Sequence, residues 1–139
     1  MHIRFAELDE REALEALQWR ASIANPDDRP NLEAHPDAID LPMAQIAAGD
    51  VVLAEVDGRI AGFAAVVGGE LDGLFVEPEQ WRRGIGVALV EAAADLARRR
   101  GLALSVIANP AALGFYERCG FVEQGEVATR FGPGLRMSR

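Results

Sequence analysis

A strand-to-helix junction in the middle of the sequence constrains the fold more than any other segment. The apolar run Leu74-Phe75-Val76 is followed by an arginine pair, Arg82 and Arg83, and a long helical pattern begins at Gly84-Ile85-Gly86. The start of a helix leaves about four backbone N–H groups without partners and carries roughly half a positive charge. Two arginines at that end are unfavourable unless an anion is bound. The junction therefore predicts a site for a phosphate group.

Two familiar nucleotide-binding motifs do not fit this junction. A dinucleotide-binding Gly-x-Gly-x-x-Gly motif needs a third glycine, where this sequence has Leu89. A Walker loop needs a lysine, and all fourteen basic residues of this chain are arginines. A bare Gly-x-Gly is also typical of a turn that lets a helix pack closely on a sheet. The motif alone therefore leaves the nature of the anion open.

The length and composition predict one domain over residues 1–139. Half of the residues are hydrophobic, but no apolar run approaches the roughly 20 residues that cross a membrane. The N-terminal residues lack the apolar stretch of a signal peptide. Cys119 is the only cysteine, so no internal disulfide can form. We expect a soluble cytoplasmic domain with no membrane partner.

The charge is distributed unevenly along the chain. The net charge is −8, with 13 acidic and 5 basic side chains in residues 1–60 and 9 of each in residues 61–139. An acidic surface argues against nucleic acid as the main partner. The acidic first half is available to a cation, although acidity also serves solubility. The two histidines, His2 and His35, do not have metal-ligand spacing, so we expect no metal.

The hydrophobic periodicity predicts a single mixed α/β (α+β) domain with a central, mostly antiparallel sheet flanked by helices. Asp9 and Glu12 form a candidate capping box for the first helix, and Asp57-Gly58 predicts a type I′ hairpin turn. The predicted element order is β-α-α-β-β-β-α-β-α-β-β. Strands are expected at about 2–6, 51–56, 59–67, 70–76, 102–108, from 120, and 129–137 with an interruption at 132–134; helices are expected after Asp9 and at about 36–48, 84–100 and 110–118.

A second motif narrows the possible functions. Residues 109–121 read Asn-Pro-Ala-Ala-Leu-Gly-Phe-Tyr-Glu-Arg-Cys-Gly-Phe. With Val76-x-Pro78 and Arg83-Gly84-Ile85-Gly86, this resembles the GNAT superfamily of N-acetyltransferases, which shows Asn-x-x-Ala-x-x-Phe/Leu-Tyr-Glu-Lys/Arg-x-Gly-Phe at the same place. The resemblance is strong from Glu70 to Phe121, and residues 1–50 match only in pattern. It implies the GNAT fold, transfer of an acetyl group to a primary amine, and acetyl-CoA as co-substrate.

The resemblance also implies where acetyl-CoA binds. Backbone N–H groups would hold the pyrophosphate, the strand backbone would pair with the pantetheine arm, and splayed neighbouring strands would open the cleft. Asn109 would hydrogen-bond the pantetheine or order the strand end, and it is also a candidate helix cap before Pro110. Trp81 departs from the family, which usually has Gln or Arg there; Gln80 and Arg82 flank it. The implied cofactor-binding residues are Leu74, Phe75, Val76, Arg82, Arg83, Gly84, Ile85, Gly86, Val87, Ala88 and Asn109.

Two catalytic roles follow from the same resemblance. Tyr116 matches the tyrosine that protonates the departing CoA thiolate, and its alternative role is that of a packed core aromatic. Glu70 matches the glutamate base of the histone-acetylating members, and alternation places it on the strand face of Asp72 and Leu74. Asp72, a water chain without a single base, and a merely solvated Glu70 remain alternatives.

The acceptor and the assembly are less constrained. The acceptor is expected to be cationic before deprotonation: a small amine, an amino acid, an aminoglycoside-like compound, or a protein N-terminus or lysine. Other possible functions are a non-catalytic acyl-CoA sensor or partner module and an acyltransferase for longer chains. By resemblance alone, a homodimer formed through the last strands is expected.

Overall fold

A seven-stranded sheet runs through the protein, with helices on both of its faces. The computed structural model describes all 139 residues. The strand order in the sheet is β1-β2-β3-β4-β5-β7-β6. The elements are β1 (His2–Phe5), α1 (Arg11–Ala24), α2 (Arg29–Ala34), α3 (Met43–Ala47), β2 (Val51–Val56), β3 (Arg59–Val67), β4 (Glu70–Val76), α4 (Ile85–Arg99), β5 (Ser105–Ala108), α5 (Leu113–Arg118), β6 (Val122–Thr129) and β7 (Gly132–Ser138).

The sheet is antiparallel at every pairing except that of β4 with β5. That pair is parallel because α4 carries the chain back between the two strands. This agrees with the mixed, mostly antiparallel sheet predicted from the sequence. No helix in the structure is long and apolar enough to cross a lipid bilayer.

The sheet separates two hydrophobic cores, and successive side chains of β3 belong alternately to one core and the other. Ala64 and Val66 belong to the larger core, which contains the buried residues of α4. Phe63 and Ala65 belong to the smaller core, with Leu14 and Leu17 of α1. Period-2 alternation sends successive side chains of a strand to opposite faces, so one strand holds both helical layers against the sheet.

Two predictions for the first fifty residues are wrong in detail. The capping box consists of Glu7 and Glu10 around a 3₁₀ turn at Leu8–Glu10, so it lies two residues before the predicted pair. The helix expected over 36–48 is a turn at Pro36–Ala38, an extended stretch and then α3. Pro42 ends the extended stretch with ψ of 135°, because the proline cannot donate the N–H that a helix interior requires. α2 was not predicted, so three helices rather than two lie between β1 and β2.

The secondary structure of the second half of the chain agrees more closely with the prediction. Asp57 and Gly58 have φ of 53° and 75°, which confirms the type I′ turn. β5 begins at Ser105 rather than at 102. The two predicted strands, from 120 and at 129–137, are the hairpin of β6 and β7, but the break lies at 130–131 rather than at 132–134. There the Thr129 hydroxyl donates to the Gly132 carbonyl. Pro133 is tolerated in β7 because the pairing with β5 starts only at Leu135.

Arg100 fastens the end of α4 to two loops on the sheet. Its guanidinium donates to the carbonyls of Val66 and Gly68 at 3.0 Å each and to the Asp50 carboxylate at 2.7 Å. The side chain is 25% exposed. Because several backbone carbonyls share this donor, its removal leaves more than one acceptor without a partner.

We therefore expect Arg100→Ala to lower the free energy of unfolding by about 2 kcal/mol, the scale of a hydrogen bond to a charged group. Arg99→Ala is the matched control, because Arg99 is exposed at the same helix end; its effect should stay within about 0.5 kcal/mol. Urea denaturation followed by circular dichroism measures both. Equal losses in the two variants would show that Arg100 has no special structural role.

Candidate functional site

The gap between β4 and β5 is the central feature of the site. The two strands pair only at Glu70 with Ser105 and at Leu71 with Val106. On the other side of β4, the Glu77 N–H donates to the Ala61 carbonyl at 2.8 Å. Since hydrogen-bonded and non-bonded pairs alternate in an antiparallel ladder, the backbone groups of Val76 and Leu74 point away from β3 and into the gap.

The loop before α4 presents a run of free backbone donors. Arg82 and Gly84 have left-handed φ of 65° and 82°. The first N–H of this region with a protein acceptor is that of Ala88, which donates to Gly84 at 3.0 Å. The N–H groups of residues 82–87 have no protein acceptor, and such a run forms a concavity that binds anions. Ala88 was predicted to belong to this cradle, and that is wrong because its N–H is used by the helix.

The two glycines of the loop are needed for different reasons. A Cβ on Gly84 would meet nothing within 4 Å, so this glycine is required by its backbone angle. A Cβ on Gly86 would lie 3.3 Å from the ring of Phe115, so this glycine lets α4 approach α5 closely. The predicted Gly-x-Gly thus combines a turn with close packing.

A cleft of about 500 Å³ extends from the gap to this loop. We call it the basic cleft, because Arg82 and Arg118 lie in its wall; it is also lined by Phe75, Val76, Gln80 and Gly86. The Gln80 Oε1 atom is buried without a hydrogen-bond partner. A chain-like ligand with an amide N–H and a phosphate end matches these groups, so the residues present fit a CoA molecule.

Trp81 is built into the same cleft. Its indole Nε1 donates to the Val76 carbonyl at 2.8 Å, which is one of the backbone groups that face the gap. The side chain is 41% exposed and lines the cleft. The residue that departs from the family pattern therefore fixes the end of β4 and forms part of the cleft wall.

A second space of about 630 Å³ opens on the other side of Phe75. We call it the acidic cavity, because Asp27 and Asp28 line it and no basic side chain does; Ile39, Asn109 and Phe131 also belong to its wall. Ser22, Asp28 and Phe75 line both spaces. The basic cleft and the acidic cavity therefore meet at these three residues.

Asp28 is the carboxylate at this junction. Partial burial, followed by the charge of Asp27, raises its pKa above the ordinary value, whereas a hydrogen bond from Asn109 lowers it. The Asn109 Nδ2 atom lies 3.5 Å from Asp28 Oδ1. Sequence reasoning missed Asp28, because only its place in a polar, proline-rich loop marked it.

Asn109 has a structural role. Its Oδ1 accepts a hydrogen bond from the Ala111 N–H at 2.9 Å and caps the turn at Pro110–Ala112, which confirms the alternative of a cap. It lines the acidic cavity and not the basic cleft. The structure thus places it beside Asp28, and its contact with pantetheine stays a prediction.

Tyr116 is a buried phenol in the wall behind the cleft. Its ring packs edge-on against Phe115 and Phe121, with centroid distances of 5.1 and 5.4 Å. Burial, with a smaller effect from Cys119, raises its pKa to about 12. It lines neither space, although its neighbour Phe115 lines the basic cleft. The phenol therefore stays protonated at neutral pH.

In the structure, Glu70 does not lie on the strand face that was predicted for it. β4 has a bulge at Asp72, because Ala65 pairs with Gly73 while Val66 pairs with Leu71. The extra residue reverses the alternation, so Glu70 lies on the face opposite to Leu74, and the predicted shared face is wrong. Neither Glu70 nor Asp72 lines the basic cleft or the acidic cavity.

Comparison with protein families gives a match to the model described as the acetyltransferase (GNAT) family, over residues 11–121. The chain belongs to the GNAT family of acetyltransferases. The match covers most of the sequence, including both motifs, so the predicted family and fold are confirmed. Acetyl-CoA is accordingly the co-substrate, and GNAT enzymes act on amine acceptors. Comparison with curated proteins gave no significant match.

Solved GNAT structures superpose over nearly the whole chain. A GCN5-related N-acetyltransferase from Rhodopseudomonas palustris has a TM-score of 0.77 at 24% identity, covering 99% of this chain and 94% of that one. A ribosomal-protein-alanine N-acetyltransferase from Brucella melitensis has a TM-score of 0.74 at 22% identity, covering 100% and 99%. PaiA N-acetyltransferase from Thermoplasma acidophilum, in complex with coenzyme A, has a TM-score of 0.73 at 18% identity, covering 99% and 98%.

The position of Trp81 makes it an optical reporter for the cleft. We expect coenzyme A to change the tryptophan fluorescence of the Trp19→Phe variant, in which Trp81 is the only indole, because a ligand in the basic cleft displaces water from that ring. Trp81→Phe should lose the change and bind coenzyme A about fivefold more weakly, since one hydrogen bond to Val76 is lost. Titration with parallel calorimetry measures both. A full fluorescence response in Trp81→Phe would contradict this placement.

Proposed function

We propose that this chain is an N-acetyltransferase that moves an acetyl group from acetyl-CoA directly to a primary amine. The observation that carries the proposal is the junction of two spaces of opposite charge at Phe75, beside the open edge of β4. A site with an anion-binding cleft and an acidic cavity brings a phosphate-bearing donor and a cationic acceptor to one point. The complex of the Thermoplasma acidophilum relative with coenzyme A supports this assignment of the cleft.

The donor is bound mainly by backbone groups. The free N–H groups of residues 82–87 bind the pyrophosphate, with Arg82 and Arg83 adding long-range attraction. The cleft-facing backbone of Leu74 and Val76 pairs with the pantetheine arm as an added strand would. Acetyl-CoA supplies the acetyl thioester whose C–S bond is broken.

The acceptor must lose a proton before it attacks, because a free alkylamine is mostly protonated at pH 7. Of the predicted routes for this proton, a water chain is best supported, since Glu70 and Asp72 line neither space. Glu70 would act only at the far end of such a chain. The neutral amine then attacks the thioester carbonyl, the C–N bond forms as the C–S bond breaks, and the second amine proton leaves along the same water chain.

Tyr116 is the proposed proton donor to the departing thiolate; because it lines neither space, its hydroxyl must reach the thiolate from behind Phe115 in the wall of the basic cleft. A phenol with a pKa of about 12 is present in its acid form throughout the working pH range, so a proton is available when the thiolate leaves. Its contacts with Phe115 and Phe121 fix the ring. A substitution by phenylalanine would remove the hydroxyl and keep this packing.

We therefore expect Tyr116→Phe to lower kcat about 100-fold while the Kd for acetyl-CoA is unchanged. CoA release with a panel of amines gives kcat, and calorimetry gives Kd. Deprotonation of the Tyr116 phenol should not lower the wild-type activity between pH 7 and 10, because its raised pKa keeps the acid form present until the pH approaches about 12. Tight acetyl-CoA binding without turnover on any amine would instead identify a sensor.

We also propose that the protein is a homodimer in the cytoplasm, assembled through β6. This strand is eight residues long and lies at an edge of the sheet, with Val122 67% exposed. A long edge strand offers unpaired backbone groups to a second chain. The single cysteine, Cys119, is buried and free, as is usual in a reducing compartment.

Light scattering after gel filtration should therefore give the mass of a dimer. Val122→Glu should shift the mass towards the monomer, because a buried unpaired charge is costly. Val67→Glu, at an exposed valine outside β6, should leave the mass unchanged. A monomeric wild type would refute the assembly.

A further inference from the structure

Asp28 lies where the basic cleft meets the acidic cavity. Only two other residues, Ser22 and Phe75, line both spaces. Phe75 contributes an apolar ring and Ser22 is buried, so Asp28 is the one ionisable side chain that borders both spaces. The predicted bases, Glu70 and Asp72, line neither space. A carboxylate that can meet the donor and the acceptor at one point is therefore present in the loop between α1 and α2.

The main chain holds Asp28 in this place. Its N–H donates to the Asn25 carbonyl at 3.1 Å, and its own carbonyl accepts from the Leu32 N–H at 3.0 Å. Asp28 precedes α2, yet its side chain makes no capping hydrogen bond to that helix. The carboxylate is thus positioned by the backbone on both sides and is not used by the helix that it precedes.

No arginine neutralises Asp28. Its neighbour in the chain, Arg29, donates instead to Glu33 at 2.6 Å. Arg82 and Arg118 lie in the wall of the basic cleft, but neither of them lowers the pKa of Asp28. An ion pair would favour the charged form of the carboxylate and make it a weaker base. Without such a pair, the carboxylate can accept a proton.

The remaining neighbours of Asp28 increase its basicity. Partial burial, followed by the charge of Asp27, raises its pKa, whereas the Asn109 amide, which donates at 3.5 Å, has a smaller and opposite effect. A raised pKa brings a carboxylate closer to neutral pH, where a general base is most effective. Position and basicity therefore agree.

We infer that Asp28 is the general base that takes the first proton from the ammonium group of the acceptor. The inference rests on the proposed acetyl transfer and adds a base to its water chain. The ammonium gives one proton to the Asp28 carboxylate and becomes a neutral amine at the junction. The amine attacks the thioester carbonyl, the C–N bond forms as the C–S bond breaks, and the thiolate takes the proton of Tyr116. Water then carries the Asp28 proton to solvent and the second amine proton to the Tyr116 oxygen.

The pH dependence of Asp28→Asn distinguishes a base from a binding group. With the amine that the wild type acetylates fastest, the variant should lower kcat/KM about 100-fold at pH 7. The ratio of wild type to variant should then narrow about tenfold for each pH unit from 7 to 9, because the neutral amine becomes available without a base. CoA release by the full-length protein measures both. The Kd for acetyl-CoA, from calorimetry, should be nearly unchanged, since backbone groups bind the donor.

Three further variants complete the test. Asp28→Glu keeps a carboxylate, so it should recover part of the loss and retain the wild-type pH dependence. Asp27→Asn should move the acidic limb of the kcat/KM profile to lower pH, because loss of the Asp27 charge lowers the pKa of Asp28 and its base form then persists in more acidic solution. Asp40→Asn is the matched control, since Asp40 is exposed and lines neither space; its profile should be that of the wild type.

The outcomes separate this inference from the proposed function. A ratio of wild type to Asp28→Asn that stays constant from pH 7 to 9 would overturn the role of base while leaving acetyl transfer intact. A rise in the KM for the amine with an unchanged kcat would do the same and would identify Asp28 as a binding group. Acetyl-CoA binding with no turnover by the wild type on any amine would refute the proposed function and the inference together.

Discussion

The separation of β4 from β5 after two paired residues is the constraint on which the rest of the site depends. A continuous ladder would use the backbone groups of Leu74 and Val76 within the sheet and close the basic cleft. The crossover through α4 fixes the two strands as parallel neighbours at one end only. The same helix begins at the mouth of the gap, so its free N–H groups face the space that the separation creates. Strand pairing, helix start and cleft are thus parts of one arrangement.

The second feature that organises the site is the change from basic to acidic side chains between the two sides of Phe75. The charged side chains that name the two spaces come from opposite halves of the chain: Arg82 follows β4 and Arg118 ends α5, whereas Asp27 and Asp28 lie between α1 and α2. The uneven charge distribution along the sequence becomes a spatial gradient because the first helices cover the sheet beside the gap. A phosphate-bearing donor and a cationic acceptor would each find the potential of opposite sign on its own side.

The sequence was sufficient where the information is local. Period-3.6 spacing predicts that the buried face of α4 consists of Ile85, Leu89, Ala93, Leu96 and Ala97; all are buried except Leu96, which is partly buried. The loop at 82–87 and the Asn109–Phe121 motif were found because each is contiguous. The bulge at Asp72 was missed, since regular alternation cannot reveal an inserted residue. Asp28 was missed because its significance depends on Asn109, which lies 81 residues away in the chain.

The free donors of residues 82–87 have a consequence for behaviour in salt. Exposed guanidinium groups such as that of Arg82 attract phosphate through solvent, and at physiological ionic strength this attraction is screened within about 8 Å. Backbone N–H groups in direct contact with a ligand are not screened in this way, and their orientation is fixed by the turn at Gly84. Affinity that depends on such donors persists as the ionic strength rises, and it is retained when the side chains around them are substituted. The identity of residue 81 or 82 can therefore change during evolution while the anion site persists.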